Sequence, residues 1–182
     1  VIDKHFFDII IGNGFGEIDC ETGDWECTMA ALDGTNVGVV ARGAAAEQIA
    51  RQLLESAGLD PDGVTYIATG LAGTTLAALE SGEVDWAITF EPGLSQGVVD
   101  GIGYLPFSLR AGQGPAELDW PSLVLTTSRG FADDNPNTVA LYRKSIREAM
   151  DYIRNPANRD EILAEMATFL GVEGELAEAI LD

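Results

Sequence analysis

Three features of the sequence predict an α/β fold. Strand, helix, strand, helix and strand succeed one another between residues 37 and 90, glycines stop both helices, and the last third reads as helical. Parallel strands need crossovers of helix length, so two crossovers in succession make a mostly parallel sheet covered on both faces, with the helical segment added after it. The chain has 182 residues, enough for a sizeable core.

The elements follow in order. His5-Phe6-Phe7-Asp8-Ile9-Ile10-Ile11 reads as a strand, but the glycine-rich loop after it supplies no partner. The chain is therefore expected to start inside a larger fold, and Val1 in place of an initiator Met points to a removed upstream segment. Asp33-Gly34 makes a turn into the strand Val37-Gly38-Val39-Val40-Ala41. A helix over 44–57 then places Ile49, Leu53, Leu54 and Ala57 on one face, and Gly58 stops it in the left-handed conformation. Asp60-Pro61-Asp62-Gly63 returns the chain to a strand over 64–68. A second helix over 71–81 ends at Gly82, and 86–90 forms the third strand.

Glycine and proline break residues 93–122 into short pieces, with Tyr104-Leu105-Pro106-Phe107 an edge-strand candidate. Residues 123–127 read as a better strand. Asn135-Pro136 and Asn155-Pro156 each open a helix. Val139, Ile146, Met150 and Ile153 are expected to form a buried stripe on the first. Ile162, Leu163, Met166, Phe169 and Leu170 make the apolar face of the second before Gly171, and a last helix begins near 173.

Thirty acidic against ten basic residues give a formal net charge of −20. Nucleic acid needs clustered Lys and Arg, and none cluster here, so nucleic-acid partners are not expected. Anionic membrane surfaces are disfavoured for the same reason. No segment approaches the roughly 20 apolar residues of a membrane-spanning helix. Cys20 and Cys27 could close a short disulfide loop in an oxidising compartment or remain two thiols. With His5 the sole histidine, neither a zinc site nor a Ser-His-Asp arrangement is expected, and no glycine-rich phosphate loop follows a strand. No cofactor is expected.

Taken together, LDGTNVGVV, RGAAAEQIARQLLESAGLDPDGVTYIATG, LAALESGEVDWAITFEP and SLVLTTSRGFADDNPNTVALYRKSI resemble substrate-binding proteins of ABC importers. The likeness is to the branch of sulfonate, taurine/nitrate and thiamine-precursor (NMT1/THI5-like) binders, over roughly 29–170. It implies a lobe like that of type II periplasmic binding proteins. Residues 1–33 would then be a remnant of a first lobe, or a lead-in strand and cysteine loop. Residues 34–130 would be the ligand-binding α/β lobe and 131–182 a helical return segment. The resemblance implies a monomeric protein that is periplasmic or otherwise extracytoplasmic, either free or lipid-anchored through a removed N-terminus. Such a protein captures a small sulfonate-, taurine/nitrate- or thiamine-precursor-like molecule for an ABC permease, and is not an enzyme. The rival readings are an enzyme recruited on the same fold, like the menaquinone-pathway dehydratases, and the effector-sensing domain of a LysR-type regulator.

The resemblance places ligand at strand ends and helix starts. Arg42, Gly43, Ala44 and Ala45 open the first helix, where unpartnered amides and an arginine suit an acid group, although a plain strand-to-helix turn explains them too. Thr69, Gly70 and Leu71 open the second. Glu91 could hold an amine or a pyrimidine, or brace the crossing between lobes. Trp120 could stack on a flat ligand, Trp86 reads rather as packing, and Arg129 could pair with a carboxylate or close its loop.

Overall fold

The computed structural model describes residues 6–121 and 123–181, so His5 lies outside the described residues. The chain forms two compact units, one up to Val124 and one from Leu125.

The first unit is built on one sheet. Its strands are β1 (Asp8–Gly12), β2 (Asn36–Val39), β3 (Thr65–Ala68), β4 (Trp86–Thr89) and β5 (Gly103–Tyr104), in the order β3-β2-β4-β1-β5. The helices are α1 (Trp25–Ala31), α2 (Ala45–Ser56), α3 (Ala72–Glu80) and α4 (Gly93–Val99). The two predicted crossovers are present: β2 lies parallel to both β3 and β4, and α2 and α3 are the connections. β1 runs antiparallel between β4 and β5, with Asp8 opposite Thr89 and Gly12 opposite Gly103. Its partners thus come from far along the chain, and β5 sits on the sheet edge as a two-residue remnant of the strand expected at 104–107.

Alternation along the strands sorts side chains into two cores. Ile9, Ile11, Trp86 and Ile88 pack with Met29 of α1 and Ile49, Leu53 and Leu54 of α2. Ile10 and Ala87 face the other way, toward Leu76 and Leu79 of α3 and Leu94 of α4. Each large aliphatic side chain buried this way contributes about 1.5–3 kcal/mol. Trp86 is wholly buried and donates its Nε1–H to Thr35 Oγ1 at 3.0 Å, so it is core rather than ligand wall.

Gly58 and Gly82, at φ of 76° and 73°, stop α2 and α3 as expected. Beyond them the amides of Leu59 and Glu83 reach back to the carbonyls of Leu54 and Ala78, both at 2.9 Å. Asp85 fixes register at the start of β4: its Oδ2 accepts the Asn36 amide at 2.8 Å while its own amide donates to Asn36 O. Much of the GEVDWAITFEP segment therefore encodes the fold itself.

The cysteine region contains a helix that the sequence patterns do not announce. Asp24 caps α1 by accepting the Cys27 amide at 3.0 Å, and Cys20 and Cys27 form a disulfide with Cα atoms 5.8 Å apart. The strand expected over 123–127 is absent beyond a single bridge residue at Leu123, and Leu123, Val124 and Leu125 are exposed. Composition alone does not make a strand without a neighbour to receive its amides.

The second unit holds α5 (Arg129–Asp134), α6 (Pro136–Arg154), α7 (Arg159–Leu170) and α8 (Gly174–Leu181). Ser128 caps α5 through the Phe131 amide, Asn135 and Pro136 open α6 as predicted, and Gly171 ends α7 in the left-handed conformation. The buried stripe expected on α6 is not buried. Val139, Ile146 and Met150 are half-covered and Ile153 is exposed. A helical unit this small has too little material to enclose a full apolar face.

Candidate functional site

In the first unit the parallel strands all end at one sheet edge, and α2, α3 and α4 all start there. Open α/β sheets offer ligands this edge, because strand ends and helix starts leave polar backbone groups facing outward. β1 contributes its first residue, Asp8, to the same edge because it runs the opposite way.

At the α2 start the guanidinium of Arg42 is held by the protein. Its Nε donates to Glu47 Oε2 at 2.8 Å and its Nη1 to the Tyr66 carbonyl at 3.1 Å. Glu47 also accepts the Gly43 amide at 2.7 Å and Arg51 Nε at 3.2 Å. Foremost the Arg42 bond, then the Gly43 amide, push the Glu47 carboxyl down to about 2 despite its burial. Ala44 N-caps α2 without a side-chain bond, and its amide donates to Ala41 O at 3.2 Å. Ala45 opens the first turn and is exposed.

At the α3 start Thr69 is buried and ties two strands to a helix. Its amide donates to Val39 O at 2.9 Å, and its hydroxyl meets Thr75 Oγ1 at 2.8 Å. Gly70 has φ of 79°, and Leu71, the N-cap residue, is exposed. No acidic residue lies in the first turn of α3.

The third corner is the densest. Glu91 accepts the Ser95 amide at 3.0 Å and the Ser95 hydroxyl at 3.1 Å, capping α4, and Arg110 Nη1 lies 3.0 Å from its Oε1. Arg110 Nε lies 3.5 Å from Asp8 Oδ2. Asp8, wholly buried, accepts Ser108 Oγ at 2.6 Å and the Leu109 amide at 2.8 Å. Burial raises its carboxyl above the ordinary value, against the lowering pull of Ser108, the Leu109 and Ile9 amides and Arg110. The loop over 108–110 is thereby pinned to the sheet edge. Three half-buried rings cluster at the residues that precede β1 and follow β4: Phe6 stacks on Phe90 with centroids 4.6 Å apart, and Phe7 meets Phe90 edge-on at 5.6 Å. On Arg110's loop a cavity of about 560 Å³ opens, lined by Arg110, Pro115 and Asp119 among others.

The structure thus brings Arg42, Gly43, Ala44, Ala45, Thr69, Gly70, Leu71 and Glu91 to one edge. Trp120 follows the 3₁₀ turn Ala116–Leu118 and is 40% exposed. Arg129 opens α5 and belongs to the second unit. Sequence reasoning missed Glu47, Asp8, Ser108, Arg110 and the phenylalanine cluster. For Glu47 a signal existed, an acid three residues after the N-cap position. Asp8 and Arg110 meet across about a hundred residues, and no local pattern announces that. Among the described residues no group of three or more His, Cys, Asp or Glu converges as a metal site, and no helix is long and apolar enough to cross a membrane.

The model of the NMT1-like family matches residues 23–167. Among solved structures, the chain is similar to the alkanesulfonate-binding protein of Xanthomonas axonopodis pv. citri bound to MOPS. That likeness has a TM-score of 0.69 and 19% identity, covering 99% of this chain and 55% of that one. It is similar to the periplasmic nitrate-binding protein of Synechocystis PCC 6803, with a TM-score of 0.69, 19% identity and coverage of 97% and 45%. For the periplasmic aliphatic sulphonate binding protein of Escherichia coli the values are 0.72, 18%, 97% and 54%. The chain spans about half the length of these relatives. No curated protein matches its sequence.

Proposed function

The chain belongs to the NMT1-like family, and from that membership we propose that it acts as the extracytoplasmic solute-binding component of an ABC importer. It captures a small molecule, of sulfonate, taurine/nitrate-like or thiamine-precursor-like type, at the edge where β2, β3 and β4 end, and delivers it to a membrane permease. The observation that carries this reading is the convergence of Arg42, Thr69, Gly70, Glu91 and Arg110 on that one edge, in a family whose solved relatives include sulfonate and nitrate binders. The Cys20–Cys27 disulfide supports an oxidising compartment.

A thermal-shift series tests it. The protein is melted with nitrate, ethanesulfonate, taurine and an aminopyrimidine, and the bound ligand is recovered and identified by mass. A ligand at 100 times its Kd adds about 2.7 kcal/mol, which appears as a clear rise in Tm. The expected result is a rise with at least one of these and recovery of that ligand unchanged. No rise with any of them overturns the reading, and a ligand returned chemically altered moves the protein to the enzymes built on this fold.

A further inference from the structure

The loop that carries Arg110 to the sheet edge is held from two sides. On the sheet side Asp8 accepts the Ser108 hydroxyl at 2.6 Å and the Leu109 amide at 2.8 Å, and Arg110 spans Asp8 and Glu91. Within the loop Gln113 closes a staple on Ser108. Its amide donates to Ser108 O at 2.9 Å, and its side-chain Oε1 accepts the Ser108 amide at 2.8 Å. Ser108 is thus gripped by Asp8 and Gln113 together, two residues before Arg110. The same loop supplies a wall of the 560 Å³ cavity through Leu109, Arg110, Ala111 and Gly112, whereas Gln113 does not line it.

The other side is the disulfide loop. Gly23 lies inside the ring that Cys20 and Cys27 close, and its amide donates to Pro106 O at 2.8 Å, where the chain enters the Arg110 loop. A Cβ placed on Gly23 would lie 3.1 Å from Gln113 Nε2, so the Gln113 carboxamide rests against the Gly23 backbone. Cys20 and Thr22 also line one cavity of about 340 Å³ with Tyr104 and Pro106. A covalent ring this short leaves its residues few conformations, and Asp24 adds a cap on the Cys27 amide within it. Gly23 is therefore held where both Pro106 and Gln113 meet it.

We propose that the Cys20–Cys27 disulfide, acting through Gly23 and Gln113, positions the Arg110 loop at the binding edge, so that the site reaches its binding-competent form only when this disulfide has formed. The proposal rests on the solute-binding reading above and adds a condition to it. Gln113 is a positioning residue, one contact removed from the cavity wall. Formation of the ring passes two electrons and two protons from the two thiols to a disulfide oxidant, which leaves as a dithiol, and a dithiol reductant reverses the exchange. An oxidising compartment keeps the ring closed and a reducing one opens it, so assembly of the site follows the compartment.

Hydrogen exchange tests the positioning without any ligand, on the oxidised protein, on the protein reduced by a dithiol, and on the Cys20→Ser, Cys27→Ser double variant. Without the disulfide the amides of Ser108, Leu109 and Gln113 should exchange at least about tenfold faster, while Thr69 and the strand amides of β2 and β4 keep their protection. In the oxidised protein Gln113→Ala should loosen the Ser108 and Leu109 amides in the same way. Gln113→Glu, which keeps the acceptor for Ser108, should hold them within about threefold of the native rate. Titration calorimetry with ethanesulfonate, nitrate, taurine and an aminopyrimidine supplies the binding arm. Whichever of these the oxidised protein binds should bind at least about tenfold more weakly to the reduced protein and to Gln113→Ala. Unchanged exchange at the loop amides overturns the proposal. So does a loss of protection that spreads to Thr69 and the strands, which makes the disulfide a support of the whole unit. A loosened loop with unaltered affinity overturns it as well, because the loop is then no part of the site. Where none of the four compounds binds the oxidised protein, the solute-binding reading falls, and the exchange comparison alone decides whether the disulfide positions the loop.

Discussion

At the scale of single residues, Glu47 organises the start of α2. One carboxylate satisfies the Gly43 amide, Arg42 and Arg51, with its side chain 6% exposed, and Arg51 goes on to Asp62 at 2.9 Å. Both guanidiniums also lie over the Tyr66 ring, at 5.4 and 4.6 Å from its centroid. The folded state thus holds the Glu47 carboxyl near 2, below the ordinary 4.5. An acid shifted this way gives its full contribution above the unfolded value and loses it as pH falls toward the folded one. Glu47→Gln should therefore lower stability at pH 7 by about 1.5–3 kcal/mol, and the gap should close between about pH 4.5 and 2 as the native carboxyl protonates. Thermal melts of both proteins across that range measure it. A gap of constant size would show that packing, not charge, is what Glu47 provides. Asp8 has the opposite sign: its raised carboxyl favours the fold at low pH and costs stability as pH rises through its folded value.

At the scale of elements, the starts of α3 and α4 are in close contact. A Cβ placed on Gly93 would lie 2.6 Å from Ala72 Cβ, closer than real side-chain atoms approach. Gly93→Ala should thus push the two helix starts apart, destabilising the first unit by about 1–3 kcal/mol. It should also weaken ligand binding, because Glu91 caps the helix that moves. A variant whose melting and affinity both match the native protein would show that the two helix starts are not tightly coupled. These elements also mark how much the sequence discloses. β2, α2, β3, α3 and β4 are each within about a residue or two of their predicted bounds, because their signals are local: alternation, a 3.6-residue apolar face, and glycine at Gly58 and Gly82. β1 is visible as a strand, but its place between β4 and β5 is not, since Asp8 pairs with Thr89 across a long stretch of chain. The site divides the same way. Arg42, Thr69, Gly70 and Glu91 stand at strand ends and helix starts that local pattern locates. Arg110 reaches the site only through Asp8 and Glu91, a meeting made by the finished fold.

At the scale of the whole molecule, net charge is a force that no local contact balances. If each of the ten basic residues neutralised one of the thirty acids, twenty carboxylates would still be uncompensated. The ion pairs formed show how the bases are used: Arg51 serves two acids and Arg110 two more, so single cations are shared between carboxylates. Like charges held on a compact body repel more than on an expanded chain, so the fold carries a self-repulsion that mobile ions can screen. The screening length falls from about 30 Å at 0.01 M salt to about 10 Å at 0.1 M. The protein should therefore melt at higher temperature as sodium chloride rises from about 10 to 300 mM, most steeply at the low end where screening changes fastest. Potassium chloride should act equally, since screening depends on ionic strength and not on the identity of the cation. A flat response would mean that the expanded chain carries the same repulsion as the fold. A rise confined to one cation would instead reveal a specific ion site among the carboxylates.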